Sequence, residues 1–175
     1  MYKIIYKKTI RSFSIHYFFL LLAGLQEKIM FNKETEYALR SLVYIWLQNM
    51  EDRRPGIAEI AREIAAPQFY TAKILQRLVR QGFINSIKGK GGGFFFDVNK
   101  PELTIKDLVT HTEGTNIITG CGFGLKNCSE DNPCPLHEKY SPIREAIEML
   151  VSNETIQSLA KKSAQSFIVK KKEVI

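Results

Sequence analysis

Apolar residues recur at helical spacing in three successive segments, the first of which begins near residue 34. Residues 34–50 predict a first core helix, because one face collects Leu39, Leu42, Val43, Trp46 and Leu47. After a break at 53–56, residues 57–64 predict a short second helix. A third helix is predicted from Gln68 to Arg80, with Gly82 ending it. The turn at 65–67 joins the second and third helices as in a helix-turn-helix.

After residue 82 the pattern changes to two short runs that are typical of strands. Residues 83–88 and 94–98 flank the turn Gly89-Lys90-Gly91-Gly92-Gly93, which predicts a β-hairpin. A hairpin directly after a helix-turn-helix is a wing. A nucleotide phosphate loop is disfavoured, because the Gly-x-x-x-x-Gly-Lys-Ser/Thr spacing is absent and no helix pattern follows the glycines.

Three further helices are expected in the C-terminal half. Thr104-x-x-Asp107 is a helix-capping pattern. Ser141-Pro142 is a helix start with proline in the first turn, and the helix that follows carries an apolar stripe of Ile143, Ile147, Leu150 and Val151. Such a stripe packs into its own core or against a second copy; the small domain favours a copy. A last short helix is expected at about 154–161.

These patterns divide the chain into five parts. Residues 1–29 are an N-terminal extension, and 30–100 are the winged helix-turn-helix. A short helix and a cysteine loop follow at 101–140, the dimerisation helices at 141–162 and a flexible tail at 163–175. The predicted fold class is mainly α with a small β-hairpin wing, that is, a winged helix-turn-helix domain plus a long dimerisation helix.

Positive charge is concentrated within the winged domain. Residues 53–100 hold nine lysines and arginines against three acidic residues, a pattern that favours a polyanion partner over a solvated face. In a helix-turn-helix the second helix enters the major groove of duplex DNA. The candidate DNA-binding residues are therefore Gln68, Tyr70, Thr71, Lys73 and Arg77 on the third helix and Lys88 and Lys90 on the wing. Gln68 suits adenine and Lys73 suits guanine, whereas Arg77 suits phosphate.

All three cysteines of the chain lie between residues 121 and 134. The surrounding segment is rich in glycine and proline, so flexible turns allow the thiolates of Cys121, Cys128 and Cys134 to converge on one metal centre. Sulfur ligands favour an iron–sulfur cluster, zinc or cuprous copper. An odd number of cysteines argues against a disulfide framework. Zinc or reactive thiols, without a cluster, stay open as the alternative sensor, and for zinc His137 would complete a tetrahedral set of four ligands.

In this order, these motifs resemble the IscR/NsrR family of winged-helix transcription regulators over about residues 30–160. The resemblance is carried by Met30 to Arg40, by Ala72 to Leu78, by the wing Lys88-Gly-Lys-Gly-Gly-Gly-Phe94 and by the cysteine loop ending Cys134-Pro-Leu-His137. It implies a homodimer that binds promoter DNA. It also implies an iron–sulfur cluster that reports iron–sulfur status, nitric oxide or redox state.

Two sets of residues are carried over from the family. The three cysteines match its cluster ligands, although the first gap, Cys-x6-Cys, is one residue longer than expected. The fourth ligand is either His137 or an acidic residue of the first helix supplied by the partner subunit, a position that Glu36 matches; the cluster is accordingly [2Fe-2S] or [4Fe-4S]. Lys88 matches a wing arginine that enters the minor groove. Ala72 replaces a base-reading glutamate of some relatives, so their sequence preference does not transfer.

The first 29 residues place basic side chains before a short apolar run at 17–23. This run is too short to span a bilayer. A signal peptide, an amphipathic anchor and a mis-assigned start codon compete, and the last is favoured because Met30 directly precedes the first amphipathic helix. A regulator of DNA would be cytoplasmic, without a membrane partner. An enzyme is disfavoured, since no catalytic constellation or substrate cleft is evident.

Overall fold

The structure, a computed structural model, describes residues 30–166 and side chains up to residue 163. The expectations for residues 1–29, and those for the tail from residue 167 onward, lie outside the described residues. The fold is mainly helical with one two-stranded hairpin, as expected. Within residues 30–166, no helix is both long and apolar enough to cross a membrane.

Seven helices and two strands follow one another along the described chain. The first three helices and the hairpin are α1 (Lys33–Asn49), α2 (Ile57–Glu63), α3 (Gln68–Arg80), β1 (Asn85–Ile87) and β2 (Gly93–Phe95). The second half contains α4 (Ile105–Glu113), α5 (Asn116–Thr119), α6 (His137–Asn153) and α7 (Ile156–Ser166). The three N-terminal helices and the hairpin match the predicted winged helix-turn-helix.

Helix α1 lies at the centre of the domain and contacts α2, α3, α4, α7 and strand β2. Its fully buried face carries Ala38, Leu42 and Ile45, which pack in the main core with Leu75 and Leu78 of α3. A second, smaller core joins α4, α5 and α6. Leu39 of α1 packs against both cores, so one helix fixes the DNA-reading half against the half that carries the cysteines.

Side-chain caps set the starts of three helices. Asn32 caps α1 by accepting the backbone N–H of Thr35 at 2.9 Å. Thr104 and Asp107 form the predicted capping box at α4. Thr155 and Ser158 exchange backbone-to-hydroxyl bonds of 3.1 and 3.0 Å ahead of α7. These bonds satisfy N–H groups that an uncapped first turn leaves without partners.

Two expectations for the C-terminal helices are wrong. Helix α6 begins at His137 and not at Ser141, so Pro142 lies inside the helix. The start was missed because Leu136 precedes the helix without a side-chain cap, and nothing in Cys134-Pro-Leu-His137 marks a helix start. Helix α7 also starts two residues later than expected and continues to Ser166, so residues 163–166 belong to this helix and not to a flexible tail.

The wing is shorter than the sequence pattern suggests. Strands β1 and β2 pair antiparallel over three residues each, with Ser86 opposite Phe94. Asn49, the last residue of α1, holds this hairpin in place. Its amide donates to the carbonyl oxygens of Arg53 at 2.8 Å and Phe94 at 3.3 Å, and its side-chain oxygen accepts the N–H of Phe96 at 3.0 Å. One polar side chain therefore ties the wing to the central helix.

Replacing Asn49 by alanine is expected to lower the free energy of unfolding by about 2 kcal/mol, because the variant leaves partly buried backbone groups without their partner. Chemical denaturation followed by circular dichroism measures the effect. Asn99→Ala is the matched control, since Asn99 is exposed in the loop after the hairpin. Equal stabilities for the two variants would contradict the proposed anchoring role of Asn49.

Candidate metal centre and nucleic-acid interface

The cysteine loop occupies residues 120–136, between helices α5 and α6. Cys121 lies two residues beyond the end of α5. The backbone carbonyl oxygen of Cys134 accepts the N–H of His137, the first residue of α6, at 2.9 Å. Gly122 packs so closely on the ring of Tyr140 in α6 that a Cβ there would lie 2.6 Å from the ring. The loop is thus held against α6 at both ends.

The middle of this loop is shaped by a turn stabilised by its own polar groups. Ser129 and Asn132 exchange backbone bonds of 3.3 and 3.2 Å, and the side-chain amide of Asn132 donates to the carbonyl oxygen of Asn127 at 3.0 Å. Cys128 precedes this turn and Cys134 follows it. The turn therefore folds the segment back so that its two ends meet.

The three sulfur atoms converge as the sequence predicts. The Sγ atoms of Cys121, Cys128 and Cys134 all lie within 4.8 Å of one another, and Cys121 and Cys134 are 3.5 Å apart. All three are free thiols. Cys134 is buried, while the other two are partly exposed, so the site opens to solvent on one side.

The thiols differ in acidity because their surroundings differ. Backbone N–H groups of Leu125 and Phe123 stabilise the thiolate of Cys121 and lower its pKa to about 7. Burial instead raises the pKa of the Cys134 thiol. One ligand is therefore readily deprotonated near neutral pH, whereas the other favours its protonated form until a cation compensates for burial.

The two candidates for a fourth ligand are in different places. Nδ1 of His137 lies 3.1 Å from Sγ of Cys128, so this imidazole is at the sulfur cluster. Glu36 pairs with Lys33 on the same helix at 2.8 Å. The structure brings His137 to the cysteines of its own chain and leaves Glu36 on the surface of α1.

The donor set suits a metal centre. Three thiols and an imidazole are the ligands that iron–sulfur clusters and zinc prefer. Nearby hydrophobic side chains are exposed, with Phe123 at 57%, Leu125 at 50% and Leu136 at 42%. An apolar rim of this kind lowers the local dielectric around the sulfurs if a second surface covers it.

The residues predicted to bind DNA do not all share one surface. Gln68 and Lys73 are exposed on α3, and Lys88 and Lys90 are exposed on the wing. Arg77 is exposed but pairs with Glu34 of α1. Tyr70 is partly buried and packs edge-to-face on Tyr37 at 5.9 Å. The helix and the wing border a cavity of about 530 Å³, lined by Gln76, Arg80 and Lys88 among others.

Thr71 does not lie on this surface. Its side chain is fully buried, and its hydroxyl donates to the carbonyl oxygen of Pro67 at 3.0 Å. Thr71 lies four and seven residues before Leu75 and Leu78, which are buried, and residues at these spacings share one face of a helix. We therefore leave Thr71 out of the proposed DNA-binding surface.

Two exposed residues at this interface were missed by the sequence analysis. Phe69 is 74% exposed in the first turn of α3, and Arg54 lies over the ring of Phe95 in the wing, with its guanidinium carbon 4.8 Å from the ring centroid. The helical spacing of Phe69 from the buried residues Ile74, Leu75 and Leu78 would have indicated its exposure. No local pattern indicates that Arg54 stacks on the wing.

Comparison with known proteins gives the same fold and assigns the family. The family model Rrf2, described as an iron-dependent transcriptional regulator, matches residues 31–162. The chain belongs to the Rrf2 family. The transcriptional regulator NsrR of Bacillus subtilis (strain 168) is 26% identical over 132 residues, which cover 73% of this chain and 87% of NsrR.

Two solved structures share this Rrf2 fold. The structure of CymR, the global cysteine regulator of B. subtilis, aligns with a TM-score of 0.59 at 20% identity and covers 75% of this chain and 96% of CymR. T. potens IscR aligns with a TM-score of 0.60 at 15% identity and covers 84% of this chain and 94% of IscR. The expected IscR/NsrR resemblance is confirmed. So is the expectation that the chain is not an enzyme, because the Rrf2 family consists of regulators.

In the reduced, metal-free protein, Cys121 is expected to react with iodoacetamide before Cys134 does. Only the thiolate is nucleophilic, so the alkylation rate of Cys121 should rise with a midpoint near pH 7. The rate at Cys134 should rise at higher pH, because burial disfavours its thiolate. Quenched time courses analysed by peptide mass spectrometry measure both rates. Faster labelling of Cys134 at pH 7 would contradict this order of acidity.

Proposed function

We propose that this protein is a homodimeric Rrf2 regulator that binds promoter DNA and senses iron–sulfur status, nitric oxide or redox state through an iron–sulfur cluster. The observation that carries the proposal is the convergence of three sulfur atoms within 4.8 Å, in the loop that leads from α5 into α6. A family model described as iron-dependent supports the same chemistry. The regulator would act in the cytoplasm.

The proposed ligands are Cys121, Cys128 and Cys134, with His137 as the fourth. The 3.1 Å contact between His137 and Cys128 favours the imidazole. Glu36 of a second subunit remains the alternative, and the exposed apolar rim of the loop suits a covering partner surface. A cluster bound there would supply reversible redox and ligand-exchange chemistry. The cysteines would hold this cluster, and the apolar rim would limit the access of water once a partner surface covers it.

DNA binding is proposed for α3 and the wing. Lys73, Lys88 and Lys90 are exposed, and Lys88 lines the cavity between helix and hairpin together with Arg80 of α3. A recognition helix in the major groove and a cationic wing beside it are the docking mode of this fold. Phosphate contacts by lysine make such binding strongly dependent on salt.

Coupling between the loop and the DNA-reading half follows the helix contacts. The ion pair of Lys106 with Glu148, at 2.8 Å, joins α4 to α6. The hydroxyls of Thr112 and Thr35, 2.6 Å apart, join α4 to α1. A loop ordered by metal ligation would fix the start of α6 and, through these contacts, bias the spacing of two recognition helices in a dimer.

A zinc centre at the same residues is the second candidate, and one observation favours it. Ligands around a tetrahedral zinc ion with bonds of about 2.3 Å lie roughly 3.8 Å apart. The 3.5 Å separation of Cys121 and Cys134 is close to that spacing. Zinc would stabilise the loop but supply no redox chemistry.

Protein purified without oxygen is expected to be coloured, with iron and acid-labile sulfide in equal amounts and with absorption between the ultraviolet and about 600 nm. Cys128→Ser should lose both, because the cluster loses a thiolate ligand. Glu130→Gln is the matched control, because Glu130 is exposed in the same loop and is not a proposed ligand; this variant should keep both. A colourless protein with one zinc per chain would support the zinc centre and contradict the cluster.

The fourth ligand can be assigned by a pair of variants. His137→Ala is expected to lower the affinity for the cluster at least about 10- to 100-fold, because removing even a hydrogen-bond partner of a metal ligand usually costs that much. Glu36→Ala should keep the wild-type affinity. Iron and sulfide content after gel filtration provides the measurement. Cluster loss in Glu36→Ala, with His137→Ala unaffected, would instead favour the carboxylate of the partner subunit.

Helix α6 is expected to form the dimer contact. Ile143 is 54% exposed, Met149 60% and Leu150 48%, whereas Val151 from the predicted stripe is buried in the chain's own core. Ile143→Glu with Leu150→Glu should shift the protein to monomers in sedimentation velocity, since two charges cannot be buried in an apolar interface. Val98→Glu, at an 85% exposed position, should leave the dimer intact. A wild-type protein that sediments as a monomer would contradict the interface.

A further inference from the structure

One face of helix α3 is exposed along its whole length. It carries Phe69, Lys73, Gln76 and Arg80, all of which are exposed. The last three lie four, seven and eleven positions after Phe69. On a helix with 3.6 residues per turn, these spacings place all four side chains within about 60° of one another. We call these four residues the exposed stripe of α3. Gln68, Tyr70 and Arg77 lie beside this stripe.

Phe69 is the unexpected member of the stripe. Its side chain is 74% exposed, and within residues 30–166 it packs against neither hydrophobic core. Its ring contact is with Lys73, whose Nζ lies 4.5 Å from the ring centroid. Burial of a phenyl ring normally contributes to folding, and the fold gains no such burial here. The ring is therefore available to a partner.

The partner is identified by the position of the ring. The N-terminal residues of the second helix of a helix-turn-helix contact base edges in the major groove. The apolar group presented there is the C5-methyl of thymine, which phenylalanine contacts in protein–DNA complexes. We propose that Phe69 recognises a thymine methyl group in each half-site of the operator. This inference rests on the DNA-binding part of the proposed function and not on the cluster.

Lys73 contributes a hydrogen-bond donor beside the ring of Phe69. Because a cation–π contact holds the ammonium over the ring, the apolar group and the cation are presented together, one turn apart on the stripe. Lysine donates to guanine O6 and N7. Phe69 would thus contact a thymine methyl group while Lys73 donates to guanine on a neighbouring base pair. Gln76 follows on the same face of α3 and offers both a donor and an acceptor.

The test removes the methyl group of a thymine without changing any other group of the DNA. The preferred duplex is first selected from a random library with the full chain, in its cluster-loaded and metal-free forms. Each thymine of that duplex is then replaced singly by deoxyuridine, which removes only the methyl group. Wild-type protein is expected to lose affinity about fourfold at one thymine per half-site, the effect of one buried methyl-sized group. Replacing both should cost about 15-fold.

The variant Phe69→Ala should bind the thymine and deoxyuridine duplexes equally at that position. Val98→Ala is the matched control, because Val98 is also an exposed apolar residue but lies in the loop after the wing; it should keep the full fourfold difference. Thermal unfolding at the wild-type temperature would show that Phe69→Ala is folded, as expected for an exposed side chain.

Four results would overturn the inference. Wild-type affinity could be unchanged by deoxyuridine at every thymine. Phe69→Ala could retain the full methyl effect, or it could weaken selected and random duplexes equally, which would make Phe69 a backbone contact. A wild-type chain that binds no duplex in either form would overturn the DNA-binding function as well. Duplex binding without a methyl effect would leave that function intact and reject the role of Phe69 alone.

Discussion

The packing of helix α1 against both halves of the domain is the interaction on which the rest of the structure depends. Its buried face, with Leu42 and Ile45, fixes α3 in the main core, and Leu39 reaches the second core. Asn49 at its end fixes the wing. One helix therefore supports the winged helix-turn-helix and, through the second core, the helices next to the cysteine loop.

This arrangement would allow a loop of glycines and prolines to serve as the proposed sensor. Helices α5 and α6 set the two ends of the loop, while the turn at Ser129 and Asn132 brings Cys128 toward Cys134. Cys121 and Cys134 have opposite pKa shifts, because one thiolate receives backbone N–H groups and the other is buried. Because the ligands must be deprotonated to bind a metal, the affinity of such a site for a cation would depend on pH.

The sequence was most informative where periodicity or a chemical cluster was strong. Helix α3 was predicted at its observed bounds, and the convergence of the three cysteines followed from their clustering. The start of α6 was not predictable, since Leu136 offers no cap and Pro142 suggested a start where the helix only continues. The period of the helix was sufficient for Thr71 and Phe69. Thr71 lies four and seven residues before the buried Leu75 and Leu78 and therefore shares their face, whereas Phe69 lies on the opposite side of α3.

The proposal also explains why the polar and apolar members of the DNA surface belong together. Lys73 and Phe69 are held as a pair on α3, and the wing adds Lys88 at the cavity. In the proposed function, ligation would act on DNA through the placement of whole helices, by way of the contacts of α4 with α6 and α1.

The most direct test is the affinity of one oxygen-free preparation for its selected operator before and after the iron is removed by a chelator. The account predicts a change of about tenfold or more, in the range that coupling between two sites usually gives, and restoration when the cluster is rebuilt. Identical operator affinity for the loaded and metal-free forms would contradict the claim that ligation at Cys121, Cys128 and Cys134 controls DNA binding.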